Sequence, residues 1–149
     1  MTGMPELVAL LNGFGGGASF LVGWAEYARN TLSTGYFSAT VIFLAIFIGA
    51  VTFSGSLIAW GKLSGKLNGM PTSFKGQRVL NFIFFVSTIC IGAAFILQNT
   101  LVFESILLHT LMILSIILGV MLVIPIGGGD MPVTVSYTHL RAHETLVHL

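Results

Sequence analysis

Residues 4–23 read MPELVALLNGFGGGASFLVG, and this stretch decides the class of the fold. It is apolar over about 20 residues, the length that crosses the hydrocarbon core of a bilayer as a helix. Its one amide is Asn12, and an unpaired buried amide costs a few kcal/mol, roughly 2–7 by transfer measurements. Polar groups in membrane segments usually face the bundle interior and often mark an ion path. The stretch therefore predicts a transmembrane helix whose polar group faces other helices, and the rest of the chain is expected to be organised around it.

The same stretch carries small residues at the spacing of helix contacts. Gly13 and Gly17 form a GxxxG pair, and Gly15, Ser19 and Gly23 form a second row. Small residues four apart let another helix backbone approach closely. Both rows are therefore predicted to be helix-packing faces.

Composition extends this interpretation to the whole chain. Of its 149 residues, 55% are hydrophobic and only 7% are charged, with a mean hydropathy of +0.97. A soluble domain carries about 25% charged residues, so the chain is expected to be an all-α, polytopic transmembrane helical bundle in contact with a lipid bilayer. With a net charge of +1 and no basic stripe, it is not expected to bind nucleic acid. Cys90 is the only cysteine, which excludes an internal disulfide, and we expect it to be a small core residue.

Hydropathy divides the chain into four spans and the start of a fifth. The four are expected at about residues 5–27, 36–63, 78–97 and 104–124. Trp24 and Tyr27 are typical of an interfacial aromatic belt at the far end of the first span. Thr52 and Ser56 lie one turn apart on the second span and are predicted to face the same neighbour as Asn12.

The distribution of basic residues predicts the orientation. The loop 62–78 carries four of the six basic residues, and basic loops stay on the cytoplasmic side. The connections 28–35 and 98–103 carry only Arg29. Met1 and the loop 62–78 are therefore predicted to be cytoplasmic, with the two shorter connections, including a tight turn at 98–103, outside.

Residues 127–135, GGGDMPVTV, repeat features of the opening. Met131-Pro132 matches Met4-Pro5, and an acidic residue adjoins each pair, Asp130 in the second copy and Glu6 in the first. Both copies are expected to begin a span on the cytoplasmic side. The repeat suggests a duplicated membrane unit of the kind found in transporters.

At Tyr137 the sequence changes character to YTHLRAHETLVHL. It holds His139, His143 and His148, but the last two are five residues apart, so the HExxH spacing of a zinc site fails and no metal site is expected. The segment 137–149 resembles translated vector read-through, which should be kept out of fold reasoning. We expect it to be a non-native tail that packs against nothing in the bundle.

Three motifs carry a resemblance to a known family. MPELVALLNGFGGGAS, IFIGAVTFSGSLIAWGKLSGKL and IGGGDMPVTVS together resemble the beta subunit of proton-translocating NAD(P) transhydrogenase over about residues 1–136. The resemblance implies a fragment of the membrane domain of an enzyme that couples hydride transfer from NADH to NADP+ to proton passage across a membrane. Further spans and the soluble NADP(H)-binding domain lie beyond this fragment, and Met1 is expected to be internal.

The resemblance also implies partners and cofactors. The full enzyme uses NAD(H) and NADP(H), includes an alpha subunit and is expected to be a homodimer in the bacterial inner membrane. The fragment itself is expected to bind no cofactor, because the GFGGG at 13–17 lacks both the GxGxxG spacing and the preceding strand of a dinucleotide site. Hydride transfer by the fragment alone is therefore not expected.

Asn12 falls where some family members carry the membrane histidine tied to proton translocation. A carboxamide does not titrate at physiological pH. Asn12 is therefore expected either to hydrogen-bond a water wire or a partner histidine, or to form a plain interhelical hydrogen bond. With Val8, Gly16 and Ser19 on its face, the hypothesis is that it faces the bundle centre and lines a hydrated path, where Gly16 leaves room for a backbone or a water and Ser19 extends the polar row.

Four other polar residues are also candidates for a role, namely Glu6, Asp130, Asn81 and His109. Glu6 and Asp130 match family positions and are proton-path candidates, although a helix-dipole role for Glu6 and a helix cap for Asp130 are the alternatives. Asn81 matches a family asparagine and is expected to join helices. His109 matches nothing in the family, and we expect a partly hydrated packing role within reach of Glu104.

A second function class stays open at this point. The bare spans also fit a small membrane transporter or scaffold subunit without redox chemistry. A nucleotide-binding domain encoded downstream of Val135 in the same frame would distinguish the transhydrogenase from that alternative.

Overall fold

The structure, a computed structural model, describes residues 3–29, 35–68, 70, 73–97 and 100–126. It contains four helices: α1 (Gly3–Arg29), α2 (Tyr36–Leu63), α3 (Gln77–Leu97) and α4 (Leu101–Val123). All four are long and apolar enough to cross a membrane. The described part of the chain therefore confirms the predicted all-α transmembrane bundle. The start of a fifth span and the tail 137–149 lie outside the described residues.

One predicted connection is shorter than expected. The tight turn expected at 98–103 overlaps α4, which begins at Leu101 after an extended Thr100 with φ −114° and ψ 123°. Val102 and Phe103 continue the hydrophobic run of the fourth span, so they join its helix. Glu104 consequently lies in the first turn of α4, where the helix dipole favours a carboxylate.

Among the described helices, α2 packs against each of the other three. It runs antiparallel to α1 and α3 and parallel to α4, and it is the most deeply buried of the four. Small residues on opposite sides of α2 explain this position, since Gly49 faces Phe20 on α1 and Gly55 faces Val123 on α4. The expectation that residues 4–23 form the organising element is wrong, because α1 packs closely only on α2.

An apolar core lies at the end of the bundle where α1 finishes and α2 begins. Its members are Tyr27, Ala39, Ile42, Phe43, Ile46, Phe95, Leu108 and Leu111. All four helices contribute to it. Tyr27 is only 9% exposed and its ring centre lies 6.1 Å from that of Phe95, so its predicted place in an interfacial belt is wrong, whereas Trp24 is 44% exposed.

Candidate functional site

The backbones of α1 and α2 approach each other closely along one line of contact, which we call the seam. A methyl group added at Gly16 would lie 2.8 Å from the Phe53 backbone nitrogen, and one at Gly49 would lie 2.5 Å from the Phe20 nitrogen. Such distances leave no room for a side chain. The seam therefore depends on glycine from both helices.

The predicted packing rows contribute unequally to this seam. A methyl at Gly13 would meet the Ser56 Cβ at 3.2 Å, and one at Gly17 would meet the Phe53 ring at 3.2 Å. In the second row only Gly23 packs on α2, because Gly15 faces open space and Ser19 is exposed. The prediction that this second row forms a packing face is wrong for the four described helices.

Asn12 makes the polar contact of the seam. Its Nδ2 donates a hydrogen bond of 2.9 Å to the Ser56 Oγ on α2. The bond can form because Gly13, the next residue, lets α2 approach the α1 backbone at this level. Thr52 and Ser56 are predicted to face the same neighbour as Asn12, but in the structure they face α1 itself. Ser56 bonds Asn12 directly, and Thr52 contacts α1 one turn further along, at Gly16.

Two open grooves meet at this hydrogen bond. One, of about 540 Å³, lies between the start of α1 and the end of α2 and is lined by Met4, Pro5, Val8, Ala9 and Leu63. The other, of about 320 Å³, is bounded by Val51, Thr52, Gly55, Val123 and Ile126. Asn12, Ser56 and Ala59 line both. The polar pair therefore lies on the ridge between two grooves that are otherwise mostly apolar.

Asn12 lies at the edge of the four described helices, and its residue is exposed there. Its predicted position in the bundle centre is therefore corrected for these four helices. Gly16 does admit a partner backbone, as predicted, and that backbone is α2. Ser19 lies two turns along α1 from Asn12 and is also exposed. The role of either residue in a proton path stays a prediction.

Of the two acidic candidates for the proton path, Glu6 and Asp130, only Glu6 lies among the described residues. Glu6 is half-buried in the first turn of α1, where a carboxylate interacts favourably with the helix dipole. Asp130 lies outside the described residues. Within the described residues, the side-chain hydrogen bond of Asn12 goes to Ser56 and not to Glu6.

Asn81 joins α3 to α4. Its Nδ2 donates to the Met121 backbone oxygen at 3.4 Å, and the Gln77 Nε2 donates to the same oxygen at 3.2 Å. The Asn81 Oδ1 is buried and has no protein hydrogen-bond partner among the described residues. Asn81 thus makes the interhelical contact expected of it and keeps one free acceptor.

Sequence reasoning missed the role of Lys62. It was assigned to the basic loop, but it belongs to α2, is only 7% exposed and donates to the backbone oxygens of Ile124 and Ile126. These carbonyls lie just after the last residue of α4, Val123, and a cation is favoured at the C-terminal end of a helix. The signal available in the sequence was its position next to Gly61, inside the last turn of an apolar helix.

The structure also places Cys90, His109 and Glu104, for which the sequence predicts a role or a contact. Cys90 is exposed, so its predicted place in the core is wrong. His109 is exposed and its Nδ1 lies 2.7 Å from the Ser105 backbone oxygen, while Glu104 is 7% exposed. No group of three metal-ligating side chains occurs among the residues that the structure describes, and His139, His143 and His148 lie outside them.

Comparison with known proteins agrees with the motifs at both ends of the chain. The sequence profile of the family described as NAD(P) transhydrogenase beta subunit matches residues 1–141. Two curated NAD(P) transhydrogenase beta subunits of Rhodospirillum rubrum, one assigned to a named strain, are each 38% identical over 146 aligned positions, which cover 91% of this chain. The chain spans only 30% of the length of these relatives.

The four apolar helices and the match along nearly the whole chain lead to one conclusion. This multi-pass membrane chain belongs to the NAD(P) transhydrogenase beta subunit family.

Proposed function

We propose that this chain is a segment of the proton-translocating membrane domain of a transhydrogenase. In the assembled enzyme, hydride transfer from NADH to NADP+ would be coupled to proton passage through helices that include α1 and α2. Membership of the beta subunit family and four apolar helices support this proposal. The observation that carries it is the Asn12–Ser56 hydrogen bond inside two membrane spans.

The pair has the chemistry of a relay that guides protons without titrating. Asn12 lies nine residues after Gly3, about 14 Å along α1 at 1.5 Å per residue, and thus well inside the hydrocarbon. One amide hydrogen serves Ser56, which leaves the second hydrogen and the Oδ1 for a water or a partner side chain. The titrating group of the path would then come from another helix of the assembly.

The same proposal extends to partners, cofactors and orientation. We propose that the alpha subunit and the NADP(H)-binding domain bind NAD(H) and NADP(H), and that the full assembly is a homodimer in the bacterial inner membrane. Met1 and the connection between α2 and α3 would face the cytoplasm, with Glu6 and Asp130 at that end of the path. The isolated chain is expected to form no NADPH.

A chimeric enzyme tests this function against a transporter or scaffold without redox chemistry. Residues 3–126 would replace the matching segment of a Rhodospirillum rubrum beta subunit, and the assembled enzyme would be reconstituted into liposomes. We expect NADPH formation together with proton movement, followed by a pH-sensitive dye. A chimera that assembles but moves no protons during hydride transfer would contradict the proposal.

A further inference from the structure

The connection between α2 and α3 carries three exposed cations. They are Lys66, Lys75 and Arg78, the last in the first turn of α3. The chain has no aspartate or glutamate between Glu26 and Glu104. None of the three cations makes an ion pair within the described part of the chain.

The two other described cations have partners in the protein. Lys62 donates to carbonyls at the end of α4, and Arg29 pairs with Glu26 at 3.0 Å near the opposite end of the bundle. Glu6 lies at the same end of the bundle as the three cations of the connection, in the first turn of α1, but it forms no ion pair with them within the described residues.

Apolar side chains are exposed between these cations. Leu67, Met70 and Phe74 are 45%, 69% and 54% exposed, beside Lys66 and Lys75 in the sequence. Interleaved basic and large apolar side chains are typical of a segment that lies in the interface of an anionic membrane. An acidic soluble protein surface would match the charges but would leave these apolar groups without a suitable environment.

The described residues at both ends of the connection are held close to the helix ends. The Leu67 nitrogen donates to the Gly61 oxygen at 2.9 Å, and the Lys66 ammonium lies 4.3 Å from the centre of the Trp60 ring. At the other end the Phe74 nitrogen donates to the Gln77 Oε1 at 3.3 Å. Lys66 is therefore held beside Trp60, and tryptophan is enriched where the headgroups of a bilayer lie.

We propose that the basic loop, meaning the described residues Lys66, Leu67, Met70, Phe74, Lys75 and Arg78, binds the headgroups of anionic phospholipids in the adjacent leaflet. Lys66, Lys75 and Arg78 bind the phosphates, while Leu67, Met70 and Phe74 contact the upper acyl chains. Basic clusters next to transmembrane helices are attracted to anionic lipids in this way. The inference does not depend on the proposed proton path.

The two tryptophans allow a direct test with the full chain. Trp60 adjoins the basic loop, and Trp24 lies near the opposite end of the bundle. Trp24→Phe and Trp60→Phe chains, each with one remaining tryptophan, would be reconstituted into vesicles of phosphatidylcholine with brominated phosphatidylglycerol or brominated phosphatidylcholine. Fluorescence quenching then measures the relative association of each lipid near each end of the bundle.

We expect phosphatidylglycerol to be preferred at Trp60 by roughly fivefold or more, since one cation near an anionic surface contributes about that factor. At Trp24 the preference should be near one. In the Lys66→Gln/Lys75→Gln/Arg78→Gln chain the preference at Trp60 should fall to near one, as it should at high salt. Unchanged quenching at Trp24 shows that this variant keeps its fold.

Two results would overturn the inference. One is equal quenching of Trp60 by the two brominated lipids in the Trp24→Phe chain with all three cations present. The other is a phosphatidylglycerol preference that persists in the triple variant. Arg29→Gln is the matched control, and it should leave the preference at Trp60 unchanged. Equal quenching would instead leave the cations available to an acidic protein surface.

Discussion

At the scale of single residues, a polar side chain in a membrane span finds a hydrogen-bond partner where a small neighbouring residue lets another helix approach. Asn12 reaches Ser56 beside Gly13. The one-turn spacing of Thr52 and Ser56 indicates a shared polar face on the second span, but it does not reveal that this face meets Asn12. Lys62 shows the limit of such reasoning. Hydropathy assigns a lysine to a loop. In the structure, however, two backbone carbonyls at the end of α4 accept hydrogen bonds from Lys62, and no pattern in residues 62–78 reveals this contact.

The Asn12–Ser56 bond predicts an energetic coupling between the two side chains. A double-mutant cycle with Asn12→Ala and Ser56→Ala should give a coupling free energy of about 0.5–1.5 kcal/mol, the range for interhelical hydrogen bonds in membranes. Unfolding of the chain by SDS in mixed micelles measures it. The pair Asn12→Ala and Thr110→Val is the control, since Thr110 donates only to Ile106 of its own helix, and it should give a value near zero. Additive effects in the first cycle would contradict the bond.

Lys62 is predicted to stabilise the end of α4. Lys62→Met keeps most of the side-chain volume but removes the donor for two carbonyls, and should lower the free energy of unfolding by about 1.5–3 kcal/mol, as for hydrogen bonds from charged groups. Thermal loss of α-helical circular dichroism in neutral detergent, without SDS or anionic lipid, measures the loss. Lys66→Met changes an exposed ammonium in the same way and should change stability little. Equal effects of the two substitutions would contradict the buried role of Lys62.

At the scale of elements, the positions of glycines in sequence did not reveal which of them pack. Residues 13–17 contain four glycines, and spacing alone predicted two packing faces on α1. The structure uses Gly13, Gly16 and Gly23 against α2 and leaves Gly15 in open space. The helical rotation of α1 about its axis decides this, and that rotation depends on Gly49 of α2, which lies far away in the chain.

Matched glycine substitutions test this assignment. Gly49→Ala places a methyl 2.5 Å from the Phe20 nitrogen and 2.7 Å from the Gly16 oxygen, and should destabilise the chain by about 1–3 kcal/mol through overpacking. Gly15→Ala meets nothing within 4 Å. It should leave stability unchanged or raise it by up to about 1 kcal/mol through helix propensity. Thermal loss of α-helical circular dichroism measures both, and a tolerated Gly49→Ala would place the seam elsewhere.

At the scale of the whole molecule, the two ends of the bundle differ. The end with Tyr27 and Phe95 is closed by an apolar core to which all four helices contribute, whereas the end with Lys62 has polar contacts and the two grooves beside Asn12. The number of spans could be predicted, since an apolar run of sufficient length has few alternatives in a bilayer. The central place of α2 could not be predicted, because it depends on which small residues face each other across helices.

The central claim is that the Asn12–Ser56 seam lies on the proton path of a transhydrogenase. Its most direct test is the rate of proton uptake into liposomes during hydride transfer by the chimeric enzyme, compared between the parent, Asn12→Leu, Asn12→Asp and the control Thr110→Val. We expect Asn12→Leu to slow proton-coupled turnover at least about tenfold, the effect of about 1.4 kcal/mol on the barrier, with subunit assembly largely intact. Asn12→Asp, which keeps a hydratable polar group, should be tolerated better, and Thr110→Val should match the parent. If Asn12→Leu moves protons at the parental rate, Asn12 only joins two helices and the path runs elsewhere.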